Sequence, residues 1–170
     1  ADSIESNFKA VGGTVTINTS HEEGKGDYSA EVAALAQAGG DILVVAGYLD
    51  QGGKAIIQSS LEAEVSKVIH TSTSEVYGTA QSIPIKEDHP LNSQSPYAAS
   101  KISSDFLGLS YFYSYKLPIT ILRPFNTFGP RQSTRAIIPT IINQLFPSKK
   151  IKLGNINTIR DFTFITDTVN

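Results

Sequence analysis

Cysteine, methionine and tryptophan are all absent from this sequence of 170 residues. Without cysteine, disulfide bonds, thiolate metal sites and cysteine nucleophiles are excluded. The three histidines, His21, His70 and His89, lack the spacing of metal ligands, so we predict no metal site. A strong charge of one sign is also lacking, because the formal net charge is only -2. The chain therefore has no basic surface for nucleic acid.

Long hydrophobic runs are missing as well. No apolar stretch approaches the roughly 20 residues that cross a bilayer, and no basic segment followed by an apolar one indicates a signal peptide. We therefore predict a cytoplasmic chain with neither membrane nor nucleic acid as a partner. The composition, with 40% hydrophobic and 18% charged residues, is typical of a globular protein, and the length predicts a single domain over 1–170.

Short apolar runs alternate with amphipathic segments along the chain. Five runs have strand length, and the segments between them have helical periodicity. The runs are TVTINTS, DILVVAG, KVIHTST, PITILRPF and KIKLG. Alternating strands and helices form parallel sheets through right-handed crossovers. We predict a doubly wound, Rossmann-like or flavodoxin-like α/β fold with helices on both faces of a mostly parallel sheet, and a chain that begins and ends inside structural units.

A tyrosine and a lysine stand four residues apart in SPYAASK, at the start of the longest predicted helix. Positions i and i+4 share one helix face, so Tyr97 and Lys101 can present a phenol and an ammonium to one ligand. A nearby cation favours phenolate and moves the pKa of a phenol, about 10, towards the range of a general base. Ser72, Thr73 and Ser74 end the preceding strand and offer a hydroxyl to the same crevice. Taken alone, the spacing favours a solvated pair on the helix surface over a site.

Four motifs within about residues 65–170 resemble those of the extended short-chain dehydrogenase/reductases, specifically the NAD-dependent nucleotide-sugar epimerases and dehydratases. They are KVIHTSTSEVYG, SPYAASK, ILRPFNTFGPR and RDFTFITD, and they occur in that family's order and spacing. The resemblance implies that Thr73, Tyr97 and Lys101 form a catalytic triad. In the family the tyrosine is the base, the lysine also binds the nicotinamide ribose, and the threonine polarises the sugar hydroxyl. Tyr97 and Lys101 are thus also the implied cofactor contacts.

The same resemblance implies a set of substrate contacts. Asn126, Arg131 and Arg160 match positions near the sugar nucleotide or the cofactor, and Glu75 matches an acidic position after the catalytic threonine. Dehydratases of this family usually carry an Asp-Glu pair there for water elimination, whereas this sequence has Ser74 before Glu75. That difference favours an epimerase or a related enzyme over a typical dehydratase.

The glycine-rich turn that binds the NAD pyrophosphate in that family is absent from residues 1–64. The glycines there fall in pairs, and the nearest phosphate-binding candidate, GYLDQGGKA, lacks the spacing of a P-loop. We therefore expect NAD to be the cofactor of the family without binding to this chain.

Residues 1–60 instead resemble part of one lobe of a type I periplasmic binding protein of the branched-chain amino-acid kind. The resemblance lies in a helix ending in GG, a strand, the helix DYSAEVAAL and the strand GGDILVVAGY. The two resemblances meet between about Ile56 and Val65. They predict an engineered or composite chimera of fragments 1–62 and 63–170 without evolved catalytic activity.

Two alternatives stay open. One is a working NAD-dependent nucleotide-sugar epimerase or dehydratase, with a nucleotide sugar as its partner. The other is a binding module for an amino acid or a small anion. In either case an unpaired sheet edge favours a homodimer.

Overall fold

The computed structural model describes residues 2–20, 25, 27–45, 52–63, 65–148 and 150–169. Within them the chain forms α-helices, β-strands and one 3-10 helix, Ser74–Tyr77, which we call the 3-10 turn. The helices are α1 (Asp2–Ala10), α2 (Ser29–Gln37), α3 (Gly53–Glu62), α4 (Pro96–Tyr115), α5 (Ile137–Ser148) and α6 (Ile165–Val169). The strands are β1 (Leu43–Val45), β2 (Val68–Thr71), β3 (Ile119–Leu122), β4 (Asn126–Phe128) and β5 (Phe162–Phe164).

The chain divides into two compact units, and the first contains Thr14–Pro124. Its sheet has three parallel strands in the order β1-β2-β3. Val68 on the middle strand stands opposite Leu43 on one side and Ile119 on the other. Helix α2 packs on α3, and α3 packs on α4. Each strand-helix-strand step joins neighbouring parallel strands, as a Rossmann-like sheet requires.

An apolar core holds the first unit together. It joins side chains from α2, α3, α4, β1 and β2 with one residue just before α2 and one just before β3, namely Tyr28, Val32, Val45, Ile56, Ile57, Val68, Tyr111 and Leu117. Tyr28 and Val68 are fully buried, and Ile57 is nearly so. Burying an aliphatic side chain of this size stabilises the fold by about 1.5–3 kcal/mol. The core thereby fixes the middle strand, whose carboxyl end leads to the candidate site.

The second unit contains Asp2–Gly13 and residues 125–169. Here β4 and β5 pair in parallel, with Thr127 opposite Thr163. The ring of Phe128 meets the rings of Phe162 and Phe164 edge-on, with centroids 6.4 and 5.3 Å apart. Helix α6 contacts both strands and α1. This unit supplies a second set of candidate residues.

The predicted parallel, Rossmann-like α/β class is confirmed. The strand predicted over residues 14–20 and the one predicted at 150–154 are wrong, because both segments are irregular in the structure. β-Branched composition gives only a preference, and a strand also needs a pairing partner. The single domain over 1–170 and the junction at 62 and 63 stay predictions. Of the helices in the described ranges, none has the length and apolar content needed to cross a membrane.

Candidate active site

Thr73 lies two residues beyond β2 and directly precedes the 3-10 turn as its cap. Its backbone is extended, and its hydroxyl accepts a hydrogen bond from the Glu75 backbone N–H at 3.3 Å, which caps the turn. The chain leaves the turn at Gly78 with a φ of 63°, where a Cβ would lie 2.5 Å from the Asn92 carbonyl oxygen. Thr73 and the exposed Glu75 therefore stand at the carboxyl end of the middle strand, the usual ligand side of a parallel sheet.

Helix α4 begins at Pro96 because the residue before it is an effective cap. The Ser95 hydroxyl accepts a hydrogen bond from the Ala98 N–H at 3.0 Å, and proline suits the first helical turn. Tyr97 stands in that first turn and keeps 37% of its surface exposed. The residue is therefore partly accessible to a ligand.

Lys101 lies one turn further along the same face of α4, but it is buried. Its ammonium donates a hydrogen bond to the Thr71 carbonyl oxygen, the last of β2, at 3.1 Å. Burial lowers the pKa of Lys101, and the carboxylate of Asp105 partly opposes that effect. The helix thus brings Lys101 to the strand end from which Thr73 follows.

Asp105, one further turn along, is fully buried. Arg123 donates from Nε to its Oδ2 at 2.8 Å, and His70 Nε2 lies 3.5 Å from its Oδ1. Burial acts to raise the pKa of Asp105, but hydrogen bonds from His70, Ser72 and Arg123 outweigh it and hold that pKa below the usual range. The carboxyl group is therefore ionised at neutral pH.

The contact between Ser72 and Asp105 is weaker than the others. The Ser72 hydroxyl and Asp105 Oδ1 are both buried, and neither has a hydrogen-bond partner of good geometry. The hydroxyl still lies close enough to favour the carboxylate. We interpret the pair as a misaligned hydrogen bond, since a buried hydroxyl gains from even a poor acceptor.

Arg123 extends the buried cluster to the 3-10 turn. Its Nη1 donates to the Tyr77 hydroxyl at 3.2 Å, and its guanidinium carbon lies 5.3 Å from the centre of the Tyr77 ring. Sequence reasoning missed Asp105, Arg123 and Tyr77. The available signal was spacing, because Tyr97, Lys101 and Asp105 follow one another at steps of four on one helix face.

The second unit carries the other predicted residues. Asn126 is exposed on β4, and its amide donates to the Asp161 carbonyl oxygen at 3.2 Å. Arg131 is exposed with a φ of 67° and lines a cavity of about 460 Å³ between β4, β5 and α5. Gln132, which the sequence did not indicate, lines the same cavity and has a buried side-chain oxygen without a hydrogen-bond partner. Arg160 is exposed before β5 and does not line this cavity.

The structure therefore brings Thr73, Glu75, Tyr97 and Lys101 into the first unit, and it places Asn126, Arg131 and Arg160 in the second. Gly47–Gln51, most of the segment considered for phosphate, lies outside the described residues.

Known proteins resemble this chain in sequence and in fold. A dTDP-glucose 4,6-dehydratase from Actinoplanes sp. is 33% identical over 117 residues, which are 68% of this chain and 37% of that protein. The crystal structure of a double mutant of the dTDP-glucose 4,6-dehydratase DesIV from Streptomyces venezuelae, with NAD and DAU bound, has a TM-score of 0.69 at 31% identity. It covers 84% of this chain and 50% of that one.

A UDP-N-acetylglucosamine 4-epimerase from Methanobrevibacter ruminantium M1 has a TM-score of 0.71 at 26% identity, over 80% of this chain and 51% of that one. The parallel sheet and these likenesses define the class as the extended short-chain dehydrogenase/reductases. Within that class, the chain belongs to the GDP-mannose 4,6 dehydratase family, whose sequence model matches residues 54–170. The chain spans little more than a third of the length of the curated relative from Actinoplanes.

These likenesses support the predicted resemblance of the second half. They give no support to a periplasmic binding protein lobe or to a chimera. The match to DesIV covers more of the chain than residues 54–170 alone provide, so part of residues 1–53 shares this fold. Of the interpretations made from the sequence, the alternative of a nucleotide-sugar enzyme is thus better supported than the inactive chimera.

Proposed function

We propose that this chain carries the acid/base centre of an NAD-dependent nucleotide-sugar dehydratase or epimerase. One observation carries the proposal: the accessible Tyr97 and the buried Lys101 share a face of α4, and the Lys101 ammonium is bonded to the strand end from which Thr73 follows. The names of the similar proteins, dehydratases and an epimerase of nucleotide sugars, support the substrate class.

The three groups have different tasks in this proposal. Tyr97 accepts the proton of a sugar hydroxyl, and Thr73 hydrogen-bonds that hydroxyl and orients it. The positive charge of Lys101 favours the phenolate form of Tyr97. Glu75, exposed on the 3-10 turn, is the candidate acid/base group for water elimination. The proposed sugar-nucleotide contacts of the second unit are Asn126, Arg131 and Arg160, to which the structure adds Gln132.

NAD fits the residues present at its nicotinamide end. Tyr97 is partly accessible and the Lys101 ammonium is held at the end of β2, so both can bind the nicotinamide ribose. NAD supplies the acceptor for the hydride that leaves the sugar carbon. Residues 1–64 lack a glycine-rich turn for the pyrophosphate. Because each 1.4 kcal/mol of lost binding energy is about tenfold in affinity, we expect this chain by itself to bind NAD weakly.

The proposal is tested by turnover and by one conservative substitution. The chain is incubated with NAD and one nucleotide sugar at a time, namely dTDP-glucose, GDP-mannose or a UDP-sugar. The products are separated by chromatography, and their masses are measured by mass spectrometry. Loss of one water identifies a dehydratase, whereas a new isomer of unchanged mass identifies an epimerase. Tyr97→Phe is expected to abolish turnover because it removes the base. Tyr113→Phe, on an exposed position of the same helix, is the matched control.

No turnover with any of these sugars at saturating NAD would count against the proposal, as would full activity of the Tyr97→Phe variant. Isothermal titration calorimetry with NAD distinguishes two causes of an inactive chain, namely lost cofactor binding and a wrongly assigned acid/base centre. A flat trace locates the failure in cofactor binding, whereas a one-site isotherm without turnover locates it in the proposed acid/base centre.

We further propose that the chain is a homodimer in solution, with neither nucleic acid nor membrane as a partner. The support is that β1 lies at the edge of the three-stranded sheet formed by the described strands. Size-exclusion chromatography with light scattering tests the dimer, and a monomer at micromolar concentration would contradict it.

A further inference from the structure

Polar contacts bind one face of α4 to the end of β2. The Lys101 ammonium donates to the Thr71 carbonyl oxygen at 3.1 Å. One turn further along, Ser104 Oγ lies 3.0 Å from His70 Nε2, and Asp105 Oδ1 lies 3.5 Å from the same nitrogen. All three helix residues are buried. Hydrogen bonds are directional, whereas apolar packing is not. These polar contacts therefore fix the position of α4 along the direction of β2.

Asp105 is also linked to the 3-10 turn, which Thr73 caps. Its Oδ2 accepts from Arg123 Nε at 2.8 Å, and Arg123 Nη1 donates to the Tyr77 hydroxyl at 3.2 Å. Tyr77 is the last residue of the 3-10 turn and is 4% exposed, so its ring cannot move without disturbing the turn. A single buried carboxylate therefore joins the helix of Tyr97 and Lys101 to the turn that begins after Thr73.

We propose that Asp105 is a positioning residue that holds Tyr97 and Lys101 at a fixed distance from Thr73. The effect of Asp105 on catalysis rests on the proposed function. The structural connection from Asp105 to the 3-10 turn can be measured without turnover. Asp105 acts through Arg123 and through the end of β2, not on the substrate. Stabilisation of the fold does not by itself explain a buried ion pair at this place. Apolar residues of similar volume often replace such a pair without loss of unfolding free energy.

The same carboxylate affects the charge of Lys101. Asp105 on its own helix acts on this ammonium, Tyr97 stands one turn earlier on the same face, and Asp105 in turn faces His70 on β2 and Arg123 after β3. Burial lowers the pKa of Lys101, and Asp105 opposes it. Removing the charge of Asp105 is therefore expected to lower that pKa further, which a space-filling role would not produce.

The test uses three variants of the full chain. Asp105→Asn keeps the shape and removes the charge, and Tyr77→Phe cuts only the branch to the turn. Ser103→Ala, at an exposed position of the same helix, is the control. Two quantities are followed by nuclear magnetic resonance: the pKa of the Lys101 ammonium, from side-chain carbon shifts, and the backbone amide shifts of the 3-10 turn.

Asp105→Asn is expected to lower the pKa of Lys101 and to shift the amides of the turn. Tyr77→Phe is expected to shift the turn amides alone, and Ser103→Ala to change neither quantity. Unchanged turn amides and an unchanged Lys101 pKa in a folded Asp105→Asn variant overturn the proposal. If that variant does not fold, Tyr77→Phe decides, because unchanged turn amides there show that the hydrogen bond from Arg123 does not hold the turn.

Turnover gives the catalytic readout. Asp105→Asn is expected to lower kcat by about ten- to a hundredfold, the cost of displacing a reacting group by about 1 Å, with little change in KM. Asp105→Glu, which restores the charge, should recover part of the loss. A wild-type chain that binds NAD but has no turnover refutes the proposed function and leaves the resonance experiment to decide the positioning role. Wild-type kcat in Asp105→Asn overturns the positioning role while the proposed function stands.

Discussion

Replacing Arg123 with methionine removes the cation that faces a fully buried carboxylate. The Asp105 side chain is 0% exposed, and Arg123 Nε donates to it at 2.8 Å. Methionine keeps most of the apolar stem of arginine, so the substitution removes charge and hydrogen bonds more than volume. Asp105 then retains His70 and the poorly aligned Ser72 as hydrogen-bonding partners and the buried Lys101 ammonium as a nearby cation.

We expect this variant to lose about 3 kcal/mol of unfolding free energy at neutral pH. Breaking one side of a buried ion pair costs about 3–5 kcal/mol. The lower end applies here, because the Arg123 side chain keeps 17% of its surface exposed and water reaches the pair. For a chain of this size, 1 kcal/mol shifts Tm by about 2–4 °C, so the melting temperature should fall by about 6–12 °C.

The loss should depend on pH. Burial acts to raise the pKa of Asp105, but its hydrogen bonds, including the one from Arg123, lower it overall. A group with a lowered folded-state pKa contributes stability that is fully present above its unfolded-state pKa and is lost as pH falls through the folded-state value. In the variant the pKa of Asp105 rises, because the cation is gone. The difference from wild type is therefore largest at neutral pH and shrinks in acid.

Tyrosine fluorescence during urea unfolding measures this effect in the first unit alone. The chain has no tryptophan, and its seven tyrosines all lie between Tyr28 and Tyr115, within that unit. The matched control is Lys86→Met, which removes an exposed cation of the same unit and should change stability by less than about 0.5 kcal/mol. A loss below about 1 kcal/mol for Arg123→Met, or a loss that is the same at pH 7 and in acid, would refute the reasoning.

Two further substitutions test the packing of the first unit, each by the same unfolding measurement. Ile57→Ala leaves a cavity in the core and should cost about 2–5 kcal/mol, whereas Ile83→Ala, at a position of the same unit that is 91% exposed, should cost less than about 0.5 kcal/mol. Equal losses would show that the core is wrongly assigned. Gly52→Ala places a Cβ 2.4 Å from the buried ring of Tyr28 at a φ of 99°, so we expect a loss of about 2–4 kcal/mol. Gly39→Ala, at a φ of 74° but with open space around its Cβ, should cost only about 1–2 kcal/mol, and a Gly52→Ala loss no larger than that would contradict the packing of Tyr28.

Local patterns in the sequence were sufficient for much of the first unit. The periodicity predicted α4 and the i, i+4 relation of Tyr97 and Lys101, and the apolar run before Thr73 predicted β2. Alternation of strands and helices predicted the parallel class. These features depend on neighbours in the chain, so short-range rules of helix and strand formation capture them.

Short-range rules did not predict which strands pair when the strands are far apart in the chain. Residues 14–20 have the composition of a strand yet are irregular, while Asn126–Phe128 and Phe162–Phe164, which were not predicted as strands, form a parallel pair. A strand is stabilised by cross-strand contacts, and its own composition does not specify its partner.

By itself, the sequence determined the fold class and which residues could form an acid/base centre. Only the tertiary structure decided that Lys101 is buried while Tyr97 stays accessible, and that Asp105 pairs with Arg123, 18 residues away. Burial sets the dielectric environment and therefore the pKa of an ionisable group, and it arises from packing among segments far apart in the chain. The spacing of residues in the sequence predicts which helix face a charged side chain lies on. Only the tertiary structure decides which residues of other segments contact it.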